Sequence, residues 1–304
     1  MSEHPFATWA ARADSVADLV RLACVLEATA AKPGNVHPDA WFADLCYDDF
    51  VTAAGIAAVR MTQPDRTLGR RILETVRETK RQTGTNVNLG IAILMTPLVI
   101  AHETARPANR RSLRRSLRSG VTEVLRGIDA EDSRRVFSAI AAASAGGLEL
   151  ADRDASSRSM DATNPHARHE NLMTAMRIAA PRDLIAMQYA NDYRDLFDTV
   201  VPTLEQQIET AGDVVRGIVG ASVRLLAWQP DSLIVRKNGE AIGREIQTLA
   251  RQTNPEDPVE IAALDTRLRS DGNRLNPGTT ADLIAAGLFV LLCESVSELK
   301  DFSR

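Results

Sequence analysis

Three short segments of the sequence combine residue types that can bind phosphate groups or exchange protons. The first reads Glu27-Ala-Thr-Ala-Ala-Lys32-Pro33-Gly34-Asn35-Val36. Glu27 falls on the apolar face of a predicted helix, so its carboxylate needs an ion-pair partner such as an arginine, a metal or a ligand. Lys32 follows the helix end, where it either complements the helix dipole or, beside the exposed amides of a Pro-Gly turn, binds an anion.

The second segment, Thr83-Gly-Thr85-Asn86-Val-Asn88-Leu-Gly90, precedes a strongly apolar stretch. Small residues and amides at a helix start can hold a phosphate on the positive end of the helix dipole. The segment has neither the spacing of a P-loop nor the preceding strand of a dinucleotide-binding fingerprint. A phosphate site and a plain capping loop therefore both fit.

The third segment is Asn276-Pro-Gly278-Thr-Thr280-Ala-Asp282, at the start of the last apolar helix. Asp282 in the first turn of a buried helix is either a capping acid or a functional carboxylate. A further candidate is Lys237, which follows a capping Asp231. It is one of four lysines among 36 basic residues, and an ammonium is not interchangeable with a guanidinium around a phosphate.

Helical periodicity runs through the regions that must position these segments. The patterns predict helices over 14–27, 49–61, 88–104, 110–127, 131–145, 166–178, 181–197, 202–227, 231–252, 258–270 and 280–297. Asn238-Gly239 falls inside one of these patterns. The helix over 88–104 is apolar nearly all round and is expected to be central, and a mobile loop is expected over 146–165. Abundant alanine and an aromatic content of only 4% disfavour β folds. We therefore predict one all-α domain spanning 1–304.

Composition and charge exclude several functional classes. The net charge of −4 gives no global attraction to nucleic acid or to an anionic membrane. The arginine cluster over 110–118 carries Leu113 and Leu117 at helical spacing, which favours a solvated helix face over a phosphate patch.

Cys24, Cys46 and Cys293 form no CxxC pair and are expected to be buried free thiols in a reducing cytoplasm. No signal peptide or 18-residue uncharged apolar run is found, so a cytoplasmic protein is expected.

Taken together and in order, the three segments resemble those of the triphosphoribosyl-dephospho-CoA synthase family. The resemblance extends from about residue 15 to residue 295. It implies an all-helical transferase that uses ATP and Mg²⁺ to join the ribose C1 of ATP to the 2′-hydroxyl of 3′-dephospho-CoA, with release of adenine. The product is the precursor of the prosthetic group of certain acyl carrier proteins. A homodimer is left open.

The resemblance also implies roles for the candidate residues. Glu27 and Asp282 would be catalytic, and the metal candidates are Glu27, Asp48, Asp49 and Asp282. Residues expected to bind the nucleotide or the coenzyme come from all three segments and from the second lysine. They are Lys32, Gly34, Asn35, Thr85, Asn86, Asn88, Lys237, Asn276, Gly278 and Thr280.

Departures from the family pattern keep two other functions open. The bacterial synthases typically have His and Lys where this chain has Asn88 and Leu89, which removes a phosphate-binding cation. Such variants resemble the branch found in methanogenic archaea and in bacteria that use tetrahydromethanopterin. One alternative is therefore an enzyme that assembles a one-carbon coenzyme of that type from a nucleotide or phosphoribosyl substrate. The other is a non-catalytic helical protein that binds a nucleotide.

Overall fold

Helices supply the regular secondary structure of the computed structural model, which describes residues 6–105, 110–144 and 171–302. Apart from two isolated β-bridges, these residues contain no strand. The elements are α1 (Ala7–Ala10), α2 (Val16–Thr29), α3 (Tyr47–Met61), α4 (Leu68–Thr83), α5 (Leu89–Thr104), α6 (Arg110–Arg126), α7 (Ala130–Ser144), α8 (Leu172–Ala179), α9 (Leu184–Ala190), a π-helix (Leu196–Val200), α10 (Val201–Ala211), α11 (Val214–Trp228), α12 (Ser232–Asn238), α13 (Glu240–Gln252), α14 (Pro258–Arg269) and α15 (Gly278–Phe302). The all-α prediction is confirmed, while a single domain stays a prediction. The loop expected over 146–165 lies outside the described residues.

Two predicted helices are each divided by a glycine. The helix expected over 202–227 ends at Gly212, whose φ of 62° ends α10, and Asp213 then caps α11 by accepting a hydrogen bond from the next turn. The helix expected over 231–252 breaks at Gly239, where φ is 87°. The placement of Gly239 inside a helix was therefore wrong. A positive φ is accessible to glycine at little cost, which is why the chain turns at these positions.

Two further differences concern α9 and α4. The helix expected over 181–197 ends at Ala190, because Asp192 and Tyr193 adopt positive φ angles before the chain re-enters a helix. Helix α4 was not predicted at all, since most of its residues are charged or polar. Its narrow apolar stripe, which includes Ile72 and Val76, is nevertheless buried.

Helices α5 and α15 form the centre of the larger apolar core. Helix α5 packs against α4, α6 and α15, and α15 also packs against α2 and α10. By length and composition, Gly278–Val296 in α15 is the one candidate membrane span among the described residues, and 83% of that window is buried inside the protein. A mostly buried window is what the core helix of a globular fold presents. The central position predicted for α5 is confirmed, and a cytoplasmic location stays a prediction.

The arginine cluster on α6 is an amphipathic helix face, as the sequence favours. Leu113 and Leu117 are fully buried. Arg114 forms ion pairs with Glu205 and with the buried Glu294, and Arg118 pairs with Asp198. The expected burial of the cysteines is confirmed for Cys24 and Cys293 but is wrong for Cys46, which is exposed just before α3.

Candidate active site

The three segments singled out in the sequence meet in the folded chain. The side-chain amide of Asn35 donates to Oδ1 of Asn276 at 2.7 Å, which joins the first segment to the third. Gly90, in the second segment, lies directly against the carboxyl group of Asp282 in the third. The backbone N–H of Ile91, in the first turn of α5, also donates to that carboxyl group. Residues separated by up to 241 positions therefore form one site.

A buried ion pair joins Glu27 and Lys32 within the first segment. Glu27 is 3% exposed and Lys32 is fully buried, with 2.8 Å between Nζ and Oε1. Lys32 Nζ also donates to the backbone carbonyls of Glu27 and Ala30. The partner of Glu27 is thus this lysine rather than an arginine. Because the lysine protons already have acceptors, a phosphate-binding role for Lys32 stays a prediction.

Asp282 is the second carboxyl group at the centre of the site. Burial raises the pKa of Asp282 well above its usual range, and the negative charges of Glu27, Asp231 and Asp183 raise it further. The hydrogen bond from the N–H of Ile91 opposes these effects but does not cancel them. A carboxylate with a raised pKa is a stronger base, so the ionised form of Asp282 is suited to accept a proton.

Asp231 holds the third segment in place, a role that the sequence did not reveal. This residue is 1% exposed. Its Oδ1 accepts the N–H groups of Leu233 and Ile234, which caps α12, while its Oδ2 accepts both the N–H and the hydroxyl of Thr280. Burial raises the pKa of Asp231, although the hydrogen bonds from Thr280 partly offset the rise. The capping of α12 was visible in the sequence, but the partner 49 residues away was not.

The turn of the first segment is packed against α14 instead of presenting free amides. Gly34 has a φ of 75°, and a Cβ there would lie 2.7 Å from Cβ of Leu268. The N–H of Gly34 donates to Asp265 at 2.7 Å, and Arg269 donates to the carbonyl oxygen of Asn35. These contacts fix the position of the turn, so binding of a nucleotide by Gly34 or Asn35 stays a prediction.

The second segment contributes one unusual buried group. Asn86 is exposed and Thr85 is half-buried, with its hydroxyl 3.1 Å from that of Thr83. Asn88 is 3% exposed and donates from Nδ2 to the hydroxyl of Thr79 at 2.9 Å. Among the described residues, Oδ1 of Asn88 has no hydrogen-bond partner. A buried polar atom seldom stays unpaired, and a ligand-binding role for Asn88 stays a prediction.

A small pocket connects this amide with the ion pair. Glu27 and Asn88 are its polar lining residues, and they come from α2 and from the residue just before α5. Its remaining lining residues are Cys24, Phe50, Ala53, Ala54, Ala57, Val87 and Ile91. Residues from two of the three segments therefore line this pocket, but the surface that they present to it is apolar.

Lys237 lies at the side of the third segment. Its ammonium donates to the carbonyl oxygen of Asn273 at 3.0 Å. Burial lowers the pKa of Lys237, and the positive charge of Arg236 lowers it further. Gly278 begins α15, and Thr280 is held by Asp231. The nucleotide-binding roles of Lys237, Gly278 and Thr280 stay predictions.

The four metal candidates do not form one cluster. Asp48 is exposed, and Oδ2 of Asp49 accepts from the N–H of Cys46 at 3.0 Å, which caps α3. Within the described ranges, no group of three or more His, Cys, Asp or Glu residues could hold a metal ion. Glu27 and Asp282 are the two candidates that interact electrostatically. The metal role of all four stays a prediction.

Comparison with known proteins identifies a family and a similar fold. The family model described as ATP:dephospho-CoA triphosphoribosyl transferase matches residues 13–301. The fold is similar to the crystal structure of a proposed triphosphoribosyl-dephospho-CoA synthase from Archaeoglobus fulgidus. That similarity has a TM-score of 0.62 and 24% sequence identity, and covers 81% of this chain and 98% of the other. No curated protein matches the chain.

The family that this model describes is one of transferases. With a model match over nearly the whole chain, the protein belongs to the ATP:dephospho-CoA triphosphoribosyl transferase family.

Proposed function

We propose that this protein transfers the triphosphoribosyl group of ATP to the 2′-hydroxyl of 3′-dephospho-CoA and releases adenine. The observation that carries the proposal is the convergence of the three segments on two interacting carboxyl groups, Glu27 and Asp282. Family membership supports the same reaction.

In this reaction the bond between ribose C1 of ATP and N9 of adenine breaks, and its electron pair leaves with adenine. A new bond forms between that C1 and the 2′-oxygen of the acceptor, whose hydroxyl proton must be removed. Asp282 would accept this proton, because a raised pKa makes its carboxylate a stronger base than an ordinary one. Glu27 supplies negative charge that stabilises the positive charge developing on the sugar.

Lys32 acts on this chemistry through Glu27. The ammonium holds the Glu27 carboxylate at 2.8 Å through Oε1, which leaves Oε2 for a second partner. A buried carboxylate without a cation would be protonated or displaced, because an isolated charge is costly to bury. Lys32 therefore supplies the charge that compensates Glu27 and fixes the orientation of its carboxylate.

The charges of the site fit the Mg²⁺ that the family reaction implies. The carboxyl groups of Glu27, Asp231 and Asp183 each act electrostatically on Asp282, and Lys32 is paired with Glu27. Mg²⁺ is commonly held by one or two carboxylates together with substrate phosphates. Asp282 would hold it with oxygens of ATP, with Glu27, Asp48 and Asp49 as the other candidates. When bound, the ion would neutralise triphosphate charge.

The test is an assay of adenine release by the purified protein with ATP, Mg²⁺ and 3′-dephospho-CoA. We expect adenine only when both substrates are present, together with a product whose mass equals dephospho-CoA plus the triphosphoribosyl group. The Asp282→Asn variant should lose most of this activity, whereas Glu240→Gln, on the exposed face of α13, should retain it. Absence of adenine release from a folded protein that binds neither substrate would contradict the proposal.

A further inference from the structure

Lys237 is a half-buried cation at the end of α12 whose donors are mostly unused. Its ammonium donates to the carbonyl oxygen of Asn273 at 3.0 Å. Within the described ranges it has no other hydrogen-bond partner and no ion pair. An ammonium carries three donors, so two of them remain for a ligand. Lys32 offers no such donors, because Glu27 and two backbone carbonyl oxygens already accept them.

Arg236 supplies a second positive charge beside Lys237. Its side chain is exposed, and in the described part of the chain it has no hydrogen-bond or ion-pair partner. Its charge lowers the pKa of Lys237, after burial, so the two cations are close enough to repel each other. The dipole of α12 amounts to about half a negative charge at this helix end. The dipole therefore does not balance two adjacent cations.

The carboxylates near Lys237 do not neutralise it either. Asp44 and Asp231 act on its ammonium electrostatically, but neither lies within ion-pair distance. Both oxygens of Asp231 already accept hydrogen bonds, from α12 and from Thr280. A partly buried charge without a paired counter-ion is unfavourable, and a bound anion would relieve that cost.

The end of α12 is held rigidly in this position. The side chain of Arg274 donates to the carbonyl oxygen of Lys237 at 3.1 Å and to Oδ1 of Asn238 at 3.2 Å. Asn238 donates in return from Nδ2 to the carbonyl oxygen of Arg274 at 2.9 Å. The backbone of Lys237 is therefore fixed while its ammonium keeps free donors, as a preformed binding site requires.

Helix α12 also sets the distance between these cations and the candidate catalytic carboxyl group. The helix begins after Asp231, which acts electrostatically on Asp282. A helix rises about 1.5 Å per residue, so Lys237 lies about 9 Å along α12 from Asp231. A ribose that reacts at Asp282 carries its phosphates on C5′, several bonds from the reacting atom. Cations at such a distance, rather than beside Asp282, are what a phosphate chain needs.

We propose that Lys237 and Arg236 bind the polyphosphate chain of a substrate. Lys237 donates to the phosphate oxygens from its two free N–H groups, and Arg236 adds charge at the solvent side. This inference rests on the proposed function, in which both substrates carry such a chain on ribose C5′. The chain is a triphosphate in ATP and a diphosphate in 3′-dephospho-CoA.

Calorimetric titration with inorganic tripolyphosphate, without Mg²⁺, tests the site without requiring turnover. We expect the wild type to bind this anion. Lys237→Gln should bind it about 10-fold or more weakly, because hydrogen bonds from a charged group are lost. Arg236→Gln should bind it about threefold more weakly, because its charge is exposed, and this variant keeps the test valid if Lys237→Gln does not fold.

Arg216→Gln is the matched control. It removes the same charge from an exposed arginine at the start of α11, whose other end leads towards α12. Its tripolyphosphate affinity should equal that of the wild type. The same variants titrated with ATP and with 3′-dephospho-CoA identify the source of the chain. A loss of affinity for ATP assigns the site to the triphosphate, and a loss for 3′-dephospho-CoA assigns it to the diphosphate.

Three outcomes would overturn the inference. The first is a folded wild type that does not bind tripolyphosphate. The second is a weakening by either folded variant that is no greater than that caused by Arg216→Gln. The third is weaker tripolyphosphate binding with no loss of affinity for either substrate.

Adenine release is measured separately on the same proteins. If the wild type releases adenine and the Lys237 and Arg236 variants bind tripolyphosphate as it does, the inference is wrong and the proposed reaction stands. If no adenine is released but tripolyphosphate binding depends on Lys237, the proposed reaction is refuted and the anion site stands.

Discussion

Asp282 and Gly90 are in direct contact at the point where α15 crosses the start of α5. A Cβ on Gly90 would lie 1.9 Å from Oδ2 of Asp282 and 2.4 Å from its Cγ. The absence of a side chain at position 90 thus lets the carboxyl group reach the N–H of Ile91. Position 90 requires a glycine because of this close contact, and not because the backbone there has an unusual φ angle.

We expect Gly90→Ala to displace Asp282 from the start of α5. Overpacking of this kind costs about 1–3 kcal/mol, which urea unfolding would measure, and adenine release should fall more than stability alone explains. Gly55→Ala is the control, because Gly55 lies within α3 and a Cβ there would meet no atom within 4 Å. That variant should be neutral or slightly stabilising. Equal effects at the two glycines would contradict the explanation.

The Glu27–Lys32 pair predicts strong coupling between two substitutions. Lys32→Met leaves a buried carboxylate without a cation, and Glu27→Gln leaves a buried ammonium without an anion. Each should cost about 3–5 kcal/mol in the free energy of unfolding. The double variant should lose much less than the sum, because neither charge then remains. Additive losses in urea unfolding would show that the two residues do not form the pair described.

Local patterns predicted much of the helical fold but not the positions where helices divide. Helices α3, α5, α7 and α14 lie within a few residues of the predicted ranges, because either the spacing of their apolar residues or their overall apolar content marks each one as a helix. The break at Gly239 was missed, since the flanking residues keep helical spacing and one glycine is tolerated inside a helix. Periodicity describes a helix face, whereas a break depends on the φ angle that packing imposes.

The sequence predicted the three segments that form the site, but it could not predict the contacts that their residues make. Lys32 was identified as a cation, but only the folded chain shows that it is fully buried and paired with Glu27. The bond from Thr280 to Asp231 joins residues 49 positions apart, so no helical spacing relates them. Residue type shows what a side chain can do, and tertiary packing decides which partner it has.

The raised pKa of Asp282 predicts a pH-dependent cost in stability. Because the folded-state pKa lies above the value of an ordinary carboxyl group, the native state binds this proton more tightly than the unfolded chain does. Ionised Asp282 therefore destabilises the fold, and the cost grows as pH rises through the folded-state pKa. Asp282→Asn removes that cost. Its stability should exceed that of the wild type at pH 8, with a gap that narrows as pH falls.

Urea unfolding between pH 4 and pH 8 would measure this gap. Asp271→Asn serves as the control, because Asp271 is exposed and pairs only with the exposed Arg274 among described groups. A gap for Asp282→Asn that stays constant across the pH range would show that the ionisation of Asp282 is not its cause.

Pro97 inside α5 predicts energetic coupling between a second pair of substitutions, at positions remote from the candidate catalytic residues. Proline has no N–H, so the carbonyl oxygen of Ile93 lacks its helical donor. The hydroxyl of Tyr189 donates to that oxygen at 2.8 Å, and Tyr193 donates to the carbonyl of Leu94 at 3.0 Å. Tyr189→Phe should therefore cost about 1–3 kcal/mol, because a buried acceptor loses its main donor.

The cost of Tyr189→Phe should shrink when the helical donor is restored. Pro97→Ala supplies an N–H at position 97 that can reach the carbonyl oxygen of Ile93 in the ordinary helical pattern. In that background the tyrosine hydroxyl is no longer the main donor, so its removal should cost less than half as much. Urea unfolding of the two single variants and the double variant measures this coupling. An equal cost of Tyr189→Phe in both backgrounds would mean that the tyrosine does not compensate for the proline.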